Sequence, residues 1–160
     1  MSTDAQVGEH PSARTADTLA TSISAPSAAR IALSVVSPVY GCKACLEELV
    51  DRIGLALGPS GKTFEVLLVD DHSPDGAWPR IVELASTRPW LRGLRLSRNF
   101  GQHYAIAAGI EQSRGDAVVV MDCDLQDPPE EIPSLVERLS DGVDVVFAQR
   151  TERKDSALKR

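Results

Sequence analysis

Short stretches that are apolar on both faces place the strongest constraint on how this chain folds. Residues 64–69 (FEVLLV) and 116–121 (DAVVVM) are almost continuously apolar rather than alternating. Such strands need cover on both faces, which is typical of parallel sheets that lie between two layers of helices. The stretches between them carry apolar residues at helical spacing. The sequence therefore predicts an α/β fold with strands at 31–37, 64–69, 94–96, 116–121 and 143–148 and helices at 43–57, 77–86, 102–112 and 130–139.

The length and composition predict one domain preceded by an unstructured segment. The chain has 160 residues, of which 42% are hydrophobic, and this is enough for a substantial core. Residues 1–30 are rich in Ala, Ser and Thr and show little periodicity, so we predict a disordered tail before a domain at 31–160. The tail lacks the basic start and apolar stretch of a signal peptide, which predicts a cytoplasmic protein with reduced thiols.

Charge and hydropathy argue against two classes of protein. The formal net charge is -6 and the pI is near 5.0, whereas binding to nucleic acid without sequence preference relies on clustered Lys and Arg. Spanning a bilayer takes about 18 or more apolar residues, and the longest apolar run here is 117–121. We therefore expect no nucleic-acid partner and no transmembrane segment in this chain.

Polar clusters follow each of the predicted strands. Ligands of open parallel α/β sheets bind outside the carboxyl ends of the strands. Because these ends lie at one edge of a sheet, we expect the clusters to surround a single site. They are PVY at 38–40, DDHS at 70–73, RNFG at 98–101, DCD at 122–124 and Arg150.

Asp122 and Asp124 are the best candidates for binding a metal ion. Two carboxylates one residue apart at a strand end offer hard oxygen ligands to Mg²⁺ or Mn²⁺. Such an ion would allow an acidic protein to hold a diphosphate, because it reverses the local charge. Gln126 and Asp127 are candidates for a further ligand or a supporting contact. The alternative is that this Asp-x-Asp motif only caps the following helix.

Other polar residues at the strand ends are candidate ligand contacts. Asp70 and Asp71 end a buried strand, and we expect Asp70 to face the ligand while Asp75 caps the next helix. Tyr40 can stack on a base, and Arg150 can pair with a diphosphate through its planar guanidinium. Each has a structural alternative: turn formation for the two Asp residues, a half-buried position for Tyr40 and a solvated one for Arg150.

The three cysteines leave two further possibilities open. Cys42 and Cys45 form a Cys-x-x-Cys motif at the start of a predicted helix, where thiol pKa values are lowered and redox chemistry is favoured. A zinc site would need two ligands beyond this pair, and the histidines have no finger spacing. Neither possibility accounts for the other polar clusters. An odd number of cysteines suggests no disulfide framework, and we expect Cys123 to pack as a small side chain between the two Asp residues.

Two segments, RNFGQ at 98–102 and DCDLQDPPE at 122–130, are much more specific than Asp-x-Asp alone. With SVVSPVY, VLLVDDHSPDGAW and VVFAQRTERKDS, they make residues 33–160 resemble the inverting nucleotide-sugar glycosyltransferases of family 2. The resemblance is closest to the polyprenyl-phosphate branch, which includes dolichyl-phosphate mannose synthases and undecaprenyl-phosphate sugar transferases. It implies the Rossmann-like, nucleotide-binding part of an A-type glycosyltransferase fold.

The resemblance also implies roles for individual residues. Asp122 and Asp124 would flank the metal and the diphosphate, with Gln126 assisting. Two positions differ from the family pattern, because Cys42 stands where an acidic residue is frequent and Cys123 where Ala is usual. The residues that would contact the donor are Pro38, Tyr40, Leu68, Asp70, Cys123 and Arg150.

The implied reaction transfers a sugar, with inversion, from a nucleoside diphosphate sugar to a polyprenyl phosphate at a membrane surface, assisted by Mg²⁺ or Mn²⁺. Family members continue well past the position of Arg160, so the resemblance predicts a truncated form or a fragment. Residues 150–160 include five basic and two acidic residues, which in a longer relative would approach anionic lipid head groups. Two alternatives are a soluble glycosyltransferase that extends a glycan and a non-catalytic donor-binding module.

Overall fold

A mostly parallel sheet lies between helices on both faces, which confirms the predicted α/β class. The computed structural model describes residues 21–23, 30–139 and 142–149, with the backbone alone for the first of these ranges. The described strands are β1 (Thr21–Ile23), β2 (Ile31–Val39), β3 (Phe64–Asp70), β4 (Leu91–Arg95) and β5 (Gly115–Val120). The described helices are α1 (Leu46–Leu57), α2 (Ala77–Thr87), α3 (Gln102–Gln112) and α4 (Ile132–Glu137), with single 3₁₀ turns at Lys43–Cys45, Gly58–Ser60 and Pro129–Glu131.

The strand order creates a crevice next to β2. The sheet runs β1-β4-β3-β2-β5, with β2 through β5 parallel and β1 antiparallel to β4. From β2 the chain builds outward through β3 and β4, and α3 then returns it to the other side of β2, where β5 is added. Connections on the two sides of β2 diverge at the carboxyl ends of the strands, and such a switch point is where α/β sheets bind ligands.

The continuous apolar strands are explained by two separate cores. Val35 and Leu68 pack on one face of the sheet with α1 and α2, in a cluster that also contains Leu49 and Ile81. Val36 and Leu67 point to the other face, where α3 supplies Ala105. Successive residues of a strand alternate between the faces, so both sets must be apolar when both faces are covered.

A buried polar network secures the turn that leads into β5. The Glu65 carboxylate accepts hydrogen bonds from Arg92 Nη1 and Ser34 Oγ, each at 2.8 Å, and from the backbone N–H of Arg114 at 2.7 Å. Ser34 Oγ also accepts a bond from the N–H of Gly115 at 2.8 Å. The beginning of β5 is thereby held against β2 and β3, which sets the direction in which β5 reaches the crevice.

Several predicted elements differ from those of the structure. No strand is assigned within the described range 142–149, so the predicted strand at 143–148 is wrong. A groove of about 1120 Å³ separates these residues from β5, and the two backbones do not pair. Residues 21–23, predicted to lie in a disordered tail, instead form β1 and pair with Gly93–Arg95 of β4. Within the described residues, no helix is long and apolar enough to cross a bilayer.

Candidate functional site

A cavity of about 510 Å³ opens at the switch point, within the range of roughly 300–1,000 Å³ typical of small-molecule sites. Four stretches of chain form its walls: the end of β2 and the residues after it, Asp71 after β3, the segment that leads into α3, and the segment after β5. The residues that line it are Pro38, Val39, Tyr40, Gly41, Cys42, Asp71, Asn99, Gly101, Gln102, Asp122, Cys123 and Asp124.

Asp122 and Asp124 reach the cavity because β5 stops pairing just before them. The last backbone bond between the two strands runs from the N–H of Met121 to the carbonyl of Val36, at 3.1 Å. The chain then turns away from β2. Gln102 Nε2, at the start of α3, donates to Asp122 Oδ1 at 2.7 Å and holds that carboxylate from the side.

The turn after Asp124 orients the second carboxylate. The N–H of Gln126 donates to Asp124 Oδ1 at 3.0 Å, and Leu125 between them has a left-handed φ of 63°. A non-glycine residue rarely adopts this conformation without a compensating contact. The backbone N–H of Gln126 therefore contacts a candidate metal ligand, and its assistance at a metal stays a prediction.

The segment after β2 is tied to the loop after β3. Gly41 has a φ of 71°, which suits glycine, and its N–H donates to Ser73 Oγ at 2.6 Å. Asp75 accepts bonds from the N–H of Lys43 at 2.8 Å and from the N–H of Ala77, the first residue of α2, at 3.1 Å. Asp75 thus holds the beginning of α2, as predicted, and it also fixes the wall formed by the end of β2.

Asp71, rather than Asp70, lines the cavity. Its two carboxylate oxygens accept the backbone N–H groups of Phe100 and Gly101, both at 2.8 Å. These bonds fix the segment immediately before α3 and so position Gln102, which holds Asp122. A side chain at the end of β3 is in this way coupled to the carboxylates that follow β5.

Asp70 and Leu68 lie behind the cavity wall instead of in its lining. Asp70 is fully buried, accepts a bond from the N–H of Ser73 at 2.9 Å and lies 3.2 Å from Arg95 Nε, in an ion pair that is not aligned as a hydrogen bond. Burial raises the pKa of the Asp70 carboxyl above its ordinary value, and the Ser73 N–H and Arg95 oppose that rise. Leu68 packs in the core between the sheet, α1 and α2.

Cys42 and Cys123 form a disulfide across the cavity wall, with their Cα atoms 6.5 Å apart. The prediction that Cys123 packs as a free small side chain is therefore wrong, and so is the expectation of reduced thiols throughout. The two residues are 81 positions apart in sequence, and only the adjacency of β2 and β5 brings them together. Cys45 is a free, partly buried thiol.

The electrostatics of the cavity favour a cation. Its described charged lining consists of three carboxylates, Asp71, Asp122 and Asp124, with no Lys or Arg. The negative charge of Asp71 is stabilised by hydrogen bonds from two backbone N–H groups. The negative charges of Asp122 and Asp124 would repel a diphosphate placed beside them without a cation. No cluster of three His, Cys, Asp or Glu groups suited to a metal occurs in the described ranges. The two carboxylates are thus a partial donor set that fits Mg²⁺ or Mn²⁺ completed by water and phosphate oxygens.

The remaining predicted site residues have separate outcomes. Pro38 and Tyr40 line the cavity, and Tyr40 is 55% exposed, which leaves its ring free to stack. Arg150 lies outside the described residues. Sequence reasoning missed the structural part played by Asp71 and by Gln102, although both stand in motifs that it singled out, DDHS and RNFGQ.

The region that forms this site is similar in sequence to known glycosyltransferases. A family model described as Glycosyl transferase family 2 matches residues 34–160. A Pseudomonas aeruginosa protein named undecaprenyl-phosphate 4-deoxy-4-formamido-L-arabinose transferase is 50% identical over 130 residues, which are 80% of this chain and 38% of that protein. A protein of the same name from Shewanella sediminis is 46% identical over 130 residues, 80% of this chain and 39% of that protein. The chain spans about two fifths of the length of these curated relatives.

Solved structures share the fold. The mannosyltransferase PcManGT from Pyrobaculum calidifontis, in complex with GDP-Man and Mn²⁺, has a TM-score of 0.62 and 28% identity over 74% of this chain and 35% of that one. S. aureus TarS in complex with UDP-GlcNAc has a TM-score of 0.52 and 28% identity over 59% of this chain and 27% of that one. Because the family model covers nearly all of the sheet and the whole cavity wall, and relatives at 46–50% identity extend over the same region, this chain belongs to glycosyl transferase family 2.

Proposed function

We propose that this domain binds a nucleoside diphosphate sugar with a divalent cation and transfers the sugar, with inversion, to a polyprenyl phosphate at a membrane surface. The single observation that carries the proposal is the cavity at the switch point, where Asp122 and Asp124 face the end of β2. A crevice at a switch point is where α/β sheets bind nucleotides. The two carboxylates can bind a divalent cation, and the cation can in turn bind the anionic diphosphate.

The nucleoside end of the donor would lie along the end of β2. Tyr40 offers an exposed aromatic face, and Pro38 contributes an apolar surface beside it. Asp71, which lines the cavity, would be a candidate acceptor for a ribose hydroxyl or a base N–H through the remaining lone pairs of its carboxylate. Asp70 would act one layer behind, by holding the loop that carries Ser73 through their hydrogen bond.

Asp122 and Asp124 would hold Mg²⁺ or Mn²⁺ against the diphosphate, with Gln126 keeping Asp124 oriented and Gln102 keeping Asp122 oriented. The bound cation would supply neutralisation of the negative charge that develops on the departing diphosphate. Arg150, outside the described residues, is proposed as a further contact to the donor.

The acceptor is proposed from the relatives, whose printed name specifies undecaprenyl phosphate. A phosphate monoester has a second pKa of about 6 and is largely ionised at neutral pH, so its oxygen can attack the anomeric carbon without a strong general base.

Calorimetric titration tests donor binding directly. UDP and GDP are titrated into the protein with and without Mn²⁺, and we expect binding of at least one of them to depend on the metal. Asp124→Asn should weaken that metal-dependent binding by at least about tenfold, because even residues that only support metal ligands cost this much.

Asp116→Asn is the matched control for Asp124→Asn. Asp116 lies at the beginning of β5, the strand that Asp124 follows, and its exposed carboxylate pairs with Arg30 at 3.0 Å. This variant should bind as the parent does. Absence of metal-dependent binding in the parent, or equal binding by the parent and Asp124→Asn, would reject the site.

A further inference from the structure

We propose that Cys42 and Cys123 are a redox-reversible covalent site at the donor cavity, open to thiol and disulfide reagents, whose oxidised state strengthens donor binding. The chemistry of the pair is independent of the proposed function, and its effect on donor binding rests on that function. Both cysteines line the cavity and are bonded to each other.

The bond joins two walls that separate just above the sheet. The paired register of β2 and β5 ends at Val36 and Val120, and one more backbone bond, from Met121 to Val36, follows. Beyond it, the disulfide joins the segment after β2 covalently to the segment that carries Asp122 and Asp124. The disulfide is therefore a crosslink at the rim of the cavity, and one of its residues, Cys123, lies between the two proposed metal ligands in sequence.

Each of the two crosslinked segments is also held by a hydrogen bond to another part of the chain. The disulfide therefore fixes the distance between the two segments. The wall after β2 is held by the bond from the Gly41 N–H to Ser73, and the wall after β5 by the bond from Gln102 to Asp122. Reduction would remove the covalent link beside Asp124, whose carboxylate accepts the N–H of Gln126 within its own turn. Binding a metal nucleotide would then have to order this segment, and ordering lowers affinity.

The exposure of the two sulfur-bearing residues gives the order of the exchange steps. Cys42 is partly exposed, whereas Cys123 is 8% exposed. In oxidation, the Cys42 thiolate attacks a disulfide RSSR, releases RS⁻ and forms a mixed disulfide. The Cys123 thiolate then attacks the Cys42 sulfur and displaces a second RS⁻. The two protein thiols lose two electrons and two protons in total, and RSSR becomes two RSH. A dithiol reductant reverses the sequence.

Cys45 provides an internal control. It lies one turn after Cys42, its backbone N–H donates to the Cys42 carbonyl at 3.0 Å, and it does not line the cavity. The neighbouring Cys-x-x-Cys sequence would predict a Cys42–Cys45 bond, whereas the fold pairs Cys42 with Cys123. The two pairings are distinguishable by experiment.

Peptide mapping tests the linkage without any donor. The 160-residue chain is treated with glutathione disulfide, its free thiols are alkylated, and it is digested and analysed by mass spectrometry. We expect a linked pair of peptides containing Cys42 and Cys123, alkylated Cys45, and loss of the link after dithiothreitol. A Cys42–Cys45 link, or three alkylated thiols after oxidation, would overturn the proposal.

Donor binding tests the consequence. Oxidised protein, and protein reduced with dithiothreitol that is then removed, are titrated with UDP and with GDP in the presence of Mn²⁺. We expect the oxidised form to bind about two- to tenfold more tightly, the difference made by ordering roughly one side chain. Cys42→Ser and, separately, Cys123→Ala should bind like the reduced parent under both conditions, and Cys45→Ser should keep the redox response.

The outcomes separate the two proposals. Metal-dependent binding of equal strength in the oxidised and reduced parent would overturn the redox effect and leave the donor site standing. Absence of binding in both states would overturn the proposed function together with the redox effect on it, while the peptide map would still decide whether the crosslink exists.

Discussion

Replacing Asp71 by Asn tests whether the cavity is held in shape by the coupling between β3, α3 and the segment after β5. Asp71 is 2% exposed, and each of its carboxylate oxygens accepts one backbone N–H, from Phe100 or from Gly101. Asn has one acceptor oxygen and one donor group of nearly the same shape. The substitution therefore removes one bond and places an N–H donor against another N–H donor.

The size of the effect follows from those two bonds. A hydrogen bond to a charged group contributes roughly 1.5–3 kcal/mol, and a buried donor left without a partner adds a cost of the same order. The bond that is kept becomes a neutral one, while the buried negative charge is removed. We expect the free energy of unfolding to fall by about 2–3 kcal/mol.

Urea unfolding followed by the fluorescence of Trp78 and Trp90 measures this change. Asp51→Asn is the matched control, because Asp51 pairs with Arg88 at 2.6 Å but its side chain is 50% exposed. Exposed pairs contribute at most about 1 kcal/mol. A second measurement is titration with UDP and with GDP in the presence of Mn²⁺, where we expect weaker binding because Gln102 no longer holds Asp122 in place.

Two results would refute this reasoning. If Asp71→Asn and Asp51→Asn lower the free energy of unfolding equally, the bonds to Phe100 and Gly101 are not stronger than an exposed pair. If Asp71→Asn is destabilised but binds metal nucleotide as tightly as the parent, the segment before α3 does not position Asp122.

Two further predictions concern the packing of α3 and the behaviour in acid. Gly109→Ala should lower the free energy of unfolding by about 1–3 kcal/mol, because the added methyl group would overlap Val36 Cγ1, whereas Gly58→Ala, with open space around it, should lower it less in the same urea experiment. The bond from Arg52 lowers the pKa of Glu130 from 4.5 to about 2, so this pair stabilises the fold above pH 4.5 and its contribution is lost as the pH falls toward 2. The parent should accordingly be more stable than Glu130→Gln near neutral pH, and acid titration of both should show the difference vanishing; a difference that grew with acidity would contradict it.

Much of the fold could be predicted because the apolar composition of a strand indicates whether one or both faces of its sheet are covered by helices. Residues 64–69 and 116–121 were predicted as strands and lie within or next to β3 and β5. The prediction failed at 143–148, which are as apolar as a strand but lie across an open groove from β5. Apolar composition indicates that a segment tends to be buried. It does not indicate that a neighbouring strand lies within hydrogen-bonding distance.

The sequence predicted which residues lie at the candidate site better than it predicted the contacts that their side chains make. Asp122, Asp124, Pro38 and Tyr40 could be expected at one edge because each follows a parallel strand, and all four line the cavity. The choice between Asp70 and Asp71 could not be made in this way. Successive residues point to opposite sides, and which side is core depends on where Arg95, Phe100 and Gly101 come to lie.

The amino-acid sequence by itself determined the layered α/β architecture, the placing of polar residues at the carboxyl ends of the strands and the family, since these depend on local composition and on motifs. The tertiary structure alone decided which side chains meet. Cys42 and Cys123 are 81 residues apart and bond only because α3 returns the chain to place β5 beside β2. Contacts between distant segments depend on the order of strands in the sheet, and no stretch of sequence encodes that order locally.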